Sequence, residues 1–149
     1  MGDLPLAIIV DIDGTLSNCE HRRHYVENKP PDWDSFNAKC KDDPINAWCS
    51  EIIKYLRFPY KILLVSGRII EQRPNTIKWL RDNNIDYDEL YMRVVPGDNT
   101  PDTEHKKRIY EKYIKDQYNI LFVLDDRKRV VEMWRSLGLT VLQCAEGNF

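Results

Sequence analysis

Three short stretches of the chain are apolar at nearly every position. Leu6-Ala7-Ile8-Ile9-Val10 follows Pro5 and runs into Asp-Ile-Asp-Gly. Ile62-Leu63-Leu64-Val65 runs into Ser66-Gly67-Arg68, and Ile120-Leu121-Phe122-Val123-Leu124 into Asp125-Asp126-Arg127. A strand with one wet face alternates apolar and polar residues. A strand covered on both faces does not, so these runs predict buried strands of a parallel sheet. Two weaker runs, Leu90–Val95 and Thr140–Cys144, supply the remaining strands. Helical spacing lies between them. Asn46–Arg57 carries Trp48, Ile52, Ile53 and Leu56 on one stripe, with Pro44 near its start and Pro59 past its end. Pro74–Asn83 carries Ile77 and Leu80, with Pro74 in a first turn. Glu104–Tyr118 carries Ile109, Tyr113 and Ile114, and Arg129–Leu137 carries Val130, Val131, Met133 and Trp134 before Gly138. Strand alternating with helix predicts an α/β fold: a three-layer, Rossmann-like parallel sheet with helices on both faces.

The stretch Leu16–Asp43 breaks this rhythm. It is polar, holds Pro30 and Pro31, and is too long for a simple connection. Residues 16–43 therefore read as a small helical cap or insertion over one end of the sheet, with Trp33 and Phe36 as its packing residues. Stacking of those two rings on a base is the alternative.

The 149 residues, 42% apolar and 31% charged, suit one domain over positions 1–149. No apolar run approaches the roughly 20 residues of a membrane helix. The N-terminus has no basic segment ahead of its apolar stretch, so it is not read as a signal peptide, and a cytoplasmic location is expected. Twenty-two basic against 24 acidic residues give a net charge of −2. That balance argues against coating nucleic acid non-specifically but leaves room for a local phosphate site. Cys19, Cys40, Cys49 and Cys144 form no C-x-x-C pair, so reduced thiols are expected. Cys19, His21 and His24 offer three potential zinc ligands with no obvious fourth, and ordinary loop composition explains them equally well.

Ligands of an open parallel sheet bind beyond the carboxyl ends of its strands. Here those ends read Asp11-Ile12-Asp13-Gly14-Thr15, Ser66-Gly67-Arg68 and Asp125-Asp126-Arg127. If the first and last of these strands are neighbours, four carboxylates converge and repel, which a hard divalent cation relieves; Mg²⁺ prefers few carboxylates, waters and a phosphate oxygen. Such a site fits phosphoryl transfer. Asp11 can attack phosphorus, Asp13 can protonate the leaving oxygen and then activate water, and Gly14 lets the chain turn. Thr15, Ser66 and a lysine can hold phosphate oxygens. Read alone, D-x-D-G-T is also an ordinary surface turn.

With these motifs in place, the chain resembles the haloacid dehalogenase superfamily of Mg²⁺-dependent phosphohydrolases. Ser66-Gly67-Arg68, Pro101-Asp102, Lys106, the run Leu124-Asp125-Asp126-Arg127-Lys128-Arg129-Val130-Val131-Glu132-Met133-Trp134-Arg135, Gly138, and Gln143-Cys144-Ala145-Glu146-Gly147-Asn148-Phe149 narrow the resemblance. They look like the phosphatase domain of bacteriophage polynucleotide kinase-phosphatases. The resemblance implies strand order 3-2-1-4-5 and a phosphomonoesterase acting on polynucleotide 3′-phosphates. It implies Asp11 as nucleophile and Asp13 as general acid-base. Mg²⁺ would be held by Asp11, the Asp13 carbonyl and the Asp125–Asp126 pair, with Asp125 favoured as the direct ligand. Ser66 and Lys106 would bind the phosphoryl group, and Thr15, Arg22, Arg68 and Asp102 would complete the substrate site. Lys107 and Arg23 compete with Lys106 and Arg22 for their roles, and Asp102 could simply cap a helix or pair with Lys106. Met133 and Trp134 read as core. Arg127 and Arg129 read as surface charges or a phosphate-contacting patch.

The phosphate-binding loop G-x-x-x-x-G-K-S/T is missing from the sequence, so 5′-phosphorylation by ATP is not expected. The wording of His21–Phe36 departs from the bifunctional enzymes, which leaves substrate identity open. The expected substrates are DNA or RNA 3′-phosphate ends, with no membrane and no obligate protein partner, and with a monomer as the default. A nucleotidase acting on small phosphomonoesters and a non-catalytic phosphate-docking module are the alternatives.

Overall fold

The computed structural model describes residues 3–148. Met1, Gly2 and Phe149, which belong to the N-terminal reading and the C-terminal motif, lie outside the described residues. Five parallel strands form one sheet in the order β3-β2-β1-β4-β5. They are β1 (Leu6–Val10), β2 (Lys61–Val65), β3 (Glu89–Tyr91), β4 (Asn119–Arg127) and β5 (Val141–Gly147). The helices are α1 (Glu20–Glu27), α2 (Trp33–Ala38), α3 (Ala47–Leu56), α4 (Arg73–Asp82), α5 (Asp102–Ile109) and α6 (Lys128–Ser136).

The continuous apolar runs are explained by two cores, one on each face of the sheet. Ile8, Val10, Ile62, Leu64, Leu90 and Leu124 point to one side, where Cys49 and Ile53 of α3 and Trp79 and Leu80 of α4 cover them. Ala7, Ile9, Leu63, Val65, Val123 and Val141 point to the other, beneath Ile109 and Val130, Val131 and Trp134 of α6. Each strand therefore needs apolar residues at consecutive positions.

Four expected boundaries shift, one of them that of β5, which runs on to Gly147 past the expected Cys144. β3 stops at Tyr91 rather than continuing to Val95, because Val94 and Val95 turn out into solvent ahead of Pro96 and Gly97. α5 ends at Ile109 and widens into a π-type turn over Tyr110–Ile114, short of the expected Tyr118. β4 runs on through Asp125 and Asp126, which the apolar pattern placed beyond the strand. That extension matters for the site, because neighbouring residues of a strand face opposite ways.

The loop after β1 is tightly folded. Ser17 N donates to the Ile12 carbonyl at 2.9 Å, and Gly14 N to the Ser17 carbonyl at 2.9 Å. The insertion is clasped at its base, where Asn18 N reaches the Pro44 carbonyl at 2.8 Å and Asn46 N the Leu16 carbonyl at 2.9 Å. Between these points lie α1, α2 and a short 3₁₀ turn, Cys40–Asp42.

Candidate active site

β1 and β4 are direct neighbours, and Asp11 N donates to the Leu124 carbonyl at 3.0 Å. This pairing brings Asp11, Asp125 and Asp126 together, all buried, with one oxygen of each within 4.8 Å of the others. It is the one cluster of three or more such ligands among the described residues. Because Asp125 and Asp126 are in a strand, they diverge. Asp125 Oδ2 turns toward α5 and α6, accepting from Lys106 Nζ at 3.0 Å and Trp134 Nε1 at 3.2 Å. Its Oδ1 accepts from Arg127 N at 3.3 Å. Asp126 turns toward the β1 loop and packs against Gly14 Cα. A side chain at position 14 would strike the Asp126 carboxylate, and the backbone there has φ +85°, so glycine is required on both counts.

Lys106 is almost fully buried, and its Nζ lies 2.8 Å from Asp11 Oδ1 and 3.8 Å from Asp102 Oδ2. Burial works against its charge, yet Asp11, Asp125 and Asp102 hold the ammonium well above the usual lysine range. Lys107 is exposed. Burial, then the neighbouring Asp125 and Asp126, push the Asp11 carboxyl well above the ordinary carboxylate value, with Lys106 pulling the other way. Burial and Asp125 also raise Asp126. Thr15 Oγ1 donates to Asp11 Oδ2 at 3.1 Å and lies 3.5 Å from Asp126 Oδ1. Three buried carboxylates thus face one ammonium, so with all three ionised two negative charges lack a counter-charge. An all-oxygen donor set with that deficit fits a hard divalent cation.

The second half of the site is charge-balanced. Asp13 Oδ1 takes Arg22 Nη2 at 2.6 Å and Arg68 Nη2 at 2.7 Å. Burial alone would raise Asp13, but Arg68 and Arg22 outweigh it and hold its carboxyl well below the usual range. Asp43 completes the cluster: its Oδ1 takes Arg22 Nε at 2.7 Å and its Oδ2 takes Arg22 Nη2 at 2.6 Å. Arg68 Nη2 lies 3.3 Å from Asp43 Oδ2, and Arg68 Nη1 donates to Thr76 Oγ1 of α4 at 3.0 Å. Trp79 Nε1 donates to the Asp43 carbonyl at 2.7 Å, fixing the end of the insertion to α4. Two carboxylates meet two guanidiniums.

Ser66 is buried at the tip of β2, where its Oγ accepts from Arg68 N at 3.1 Å. His105 Nε2 contacts the Ser66 carbonyl at 2.9 Å, and burial lowers that imidazole from its ordinary value. Asp102 opens α5 without capping it. Its Oδ2 lies 3.6 Å from Arg127 Nη1, and its Oδ1, pressed against Gly67, has no hydrogen-bond partner. Arg22 enters the site, whereas Arg23 pairs with Glu20 at 3.1 Å on the outside of α1.

The sequence reading missed Asp43 and the polar role of Trp134. No sequence signal marked Asp43, because the site residues read from sequence already held more carboxylates than cations, and only the fold shows both arginines on Asp13. No periodicity distinguishes Trp134 as a donor, because its ring is also core. His21 Nε2 lies 2.7 Å from Asp43 Oδ1, and the His24 ring packs on Tyr25 at 4.0 Å, so Cys19, His21 and His24 do not gather as a ligand set. All four cysteines are free; burial pushes the Cys19 and Cys49 thiols up to about 12 and Cys144 up to about 11.

A 3-2-1-4-5 parallel sheet with aspartates at the tips of β1 and β4 and a buried lysine between them defines a phosphatase domain of the haloacid dehalogenase type. Residues 5–149 match the family of the polynucleotide kinase PNKP phosphatase domain, and the chain belongs to it. Chains of a Pnkp1/Rnl/Hen1 complex and of the Pnkp1/Rnl/Hen1 RNA repair complex are each 35% identical, with TM-score 0.86, over 98% of this chain and 48% and 44% of their own lengths. A putative bifunctional polynucleotide kinase/RNA ligase of Autographa californica nuclear polyhedrosis virus is 30% identical over 93% of this chain and 19% of its own length. The chain thus spans about half of the first two relatives and a fifth of the third. A class C acid phosphatase from Bacillus anthracis, 16% identical with TM-score 0.69 over 99% of this chain and 69% of its own, shares the fold. No helix among the described residues is long and apolar enough to cross a membrane.

Proposed function

We propose that this chain is a Mg²⁺-dependent phosphomonoesterase that removes the terminal 3′-phosphate from DNA or RNA through an aspartyl-phosphate on Asp11. The observation that carries the reading is the division of charge: a carboxylate cluster short of two positive charges beside a balanced Asp13–Asp43–Arg22–Arg68 cluster. Asp11, the Asp13 carbonyl and Asp126 would hold Mg²⁺, with Asp125 acting from behind. This reverses the preference drawn from sequence, because Lys106, Trp134 and the Arg127 amide already engage Asp125. The ion would neutralise charge on the phosphoryl oxygens.

In the first half-reaction an Asp11 carboxylate oxygen attacks phosphorus in line. The bond from phosphorus to the 3′-oxygen breaks, and Asp13 gives that oxygen its proton. In the second, Asp13 takes a proton from water, which attacks phosphorus and frees inorganic phosphate and Asp11. Arg22 and Arg68 hold Asp13 ionised, which suits its base role. An arriving phosphate competes for both guanidiniums, and Asp13, released from them, returns toward the ordinary carboxylate range and can carry the proton. Lys106, Thr15 and the Ser66 hydroxyl hold phosphoryl oxygens, and Ser66 keeps its proton for this because it accepts from Arg68 N. Asp102 holds Lys106 in place. Polynucleotide ends are favoured by the family and by the RNA-repair and kinase/ligase relatives. The four free thiols are in keeping with a cytoplasmic compartment.

The test offers purified protein 3′-phosphate and 5′-phosphate oligonucleotides of DNA and RNA, and free mononucleotides, with Mg²⁺ or with EDTA. Mg²⁺-dependent release from 3′-ends is expected. Greater efficiency on mononucleotides than on any oligonucleotide end overturns the polynucleotide reading in favour of a nucleotidase. Release from none of them leaves a phosphate-docking module.

A further inference from the structure

Trp33 is 52% exposed, although it is the largest apolar side chain of the insertion. Packing of the cap onto the sheet, its expected role, would have buried it. Its position is nevertheless fixed. It opens α2, whose N-cap Asp32 accepts from Ser35 N at 3.0 Å. Its ring meets Phe36, one turn on and on the same helix face, edge-on at 5.7 Å and 87°. The Phe36 ring in turn carries the Arg22 guanidinium at 4.2 Å, and Arg22 Nη1 donates to the Phe36 carbonyl at 3.2 Å. Arg22 Nη2 is the group on Asp13. A path of contacts therefore runs from Asp13 through Arg22 and Phe36 to an open indole two ring contacts away.

We propose that Trp33 is a stacking platform for the base of the nucleotide whose phosphate is removed, so that it selects base-bearing phosphomonoesters. This rests on the phosphatase reading above and adds the base subsite to it. An indole held by its helix and by Phe36 loses little conformational freedom on stacking and accepts any base, since every base has a π face. The contact discriminates by the presence of a base, not by its identity.

The experiment compares kcat/KM on a 3′-phosphorylated oligonucleotide, the same oligonucleotide ending in an abasic 3′-phosphate, and β-glycerol phosphate. It uses the wild type, Trp33→Leu and Trp33→Phe. Stacking is worth about 1–3 kcal/mol per base, so the preference for the base-bearing over the abasic end should fall about 5- to 150-fold in Trp33→Leu and survive in Trp33→Phe. An equal loss on all three substrates makes Trp33 a structural residue of the cap and overturns the proposal, as does an unchanged preference in Trp33→Leu. Should the wild type prefer mononucleotides, the polynucleotide reading falls while the same ratio, taken between a nucleoside 3′-monophosphate and β-glycerol phosphate, still decides the role of Trp33.

Discussion

Lys106 Nζ lies 2.8 Å from Asp11 Oδ1, both groups are buried, and 95 residues of chain separate them. The ammonium bridges the tips of two strands, since its other close partner is Asp125 at 3.0 Å. Removing it leaves three buried carboxylates without a compensating charge and takes a cation from the proposed phosphoryl site. Lys106→Ala is expected to lower kcat/KM at least about 10²-fold, while Lys107→Ala, on the exposed side of α5, changes stability by less than about 0.5 kcal/mol and leaves turnover near wild type. Phosphate release and thermal melts of both variants check this, and the reverse pattern would move the register by one.

Asp11→Asn keeps the size of the side chain but removes the charge of the carboxylate proposed as nucleophile. Turnover should fall at least about 10³-fold with the fold intact. Single-turnover phosphate release together with a circular dichroism melt separates that outcome from unfolding.

Asp43 accepts from Arg22 through both oxygens, and its own side chain is fully buried. Breaking a buried pair by removing one partner costs about 3–5 kcal/mol, because the other charge stays buried. Asp43→Ala should destabilise by that order in urea unfolding. Arg23→Ala, whose paired Glu20 is exposed, should cost less than about 1 kcal/mol.

Asp11 and Asp126 are raised because carboxylates crowd each other in a buried place. A divalent cation relieves that repulsion only in the folded state, so Mg²⁺ should stabilise the protein. At a hundredfold excess over Kd the gain is about 2.7 kcal/mol, or about 5–10 °C in Tm. The shift should vanish with EDTA and be largely lost in Asp126→Asn. An equal shift in that variant would remove Asp126 from the direct ligands.

His105 is buried against the Ser66 carbonyl, and burial lowers its imidazole from the ordinary 6.5. The folded state therefore disfavours the proton that the unfolded chain accepts. Its contribution is fully present above pH 6.5 and is lost as pH falls through the lowered folded value. Urea midpoints from pH 7.5 to 5 should decline in the wild type, and His105→Gln should flatten that decline. An identical slope in the variant would assign the decline to other groups.

Much of this molecule could be read from the chain. Leu6–Val10, Ile62–Val65 and Ile120–Leu124 announce strands covered on both faces, because such strands cannot alternate. Asp11, Asp13, Ser66 and Asp125 were legible as well, since polar residues directly after a buried run sit at strand tips. Less legible were boundaries set by tertiary contacts. Asp125 and Asp126 look like a loop by composition, yet pairing with Gln143 keeps Asp125 in β4. That decides which way each carboxylate faces, so Asp125 meets Lys106 and Trp134 while Asp126 meets Gly14 and Thr15. Trp33 and Phe36 looked alike as cap aromatics, and only packing separated them: Phe36 lies under Arg22, and Trp33 is left open.

By itself, the sequence determined the alternation of layers, the strand tips that carry chemistry and the family's motif residues, because these depend on local apolar pattern and short-range spacing. The choice of Lys106 over Lys107 and of Arg22 over Arg23 needed the tertiary structure, as did the pairing of Asp43 with both arginines and the imbalance of charge around Asp11. Each of these depends on which side of a helix or strand is turned inward against a segment distant in the chain, and on how many counter-charges burial leaves within reach.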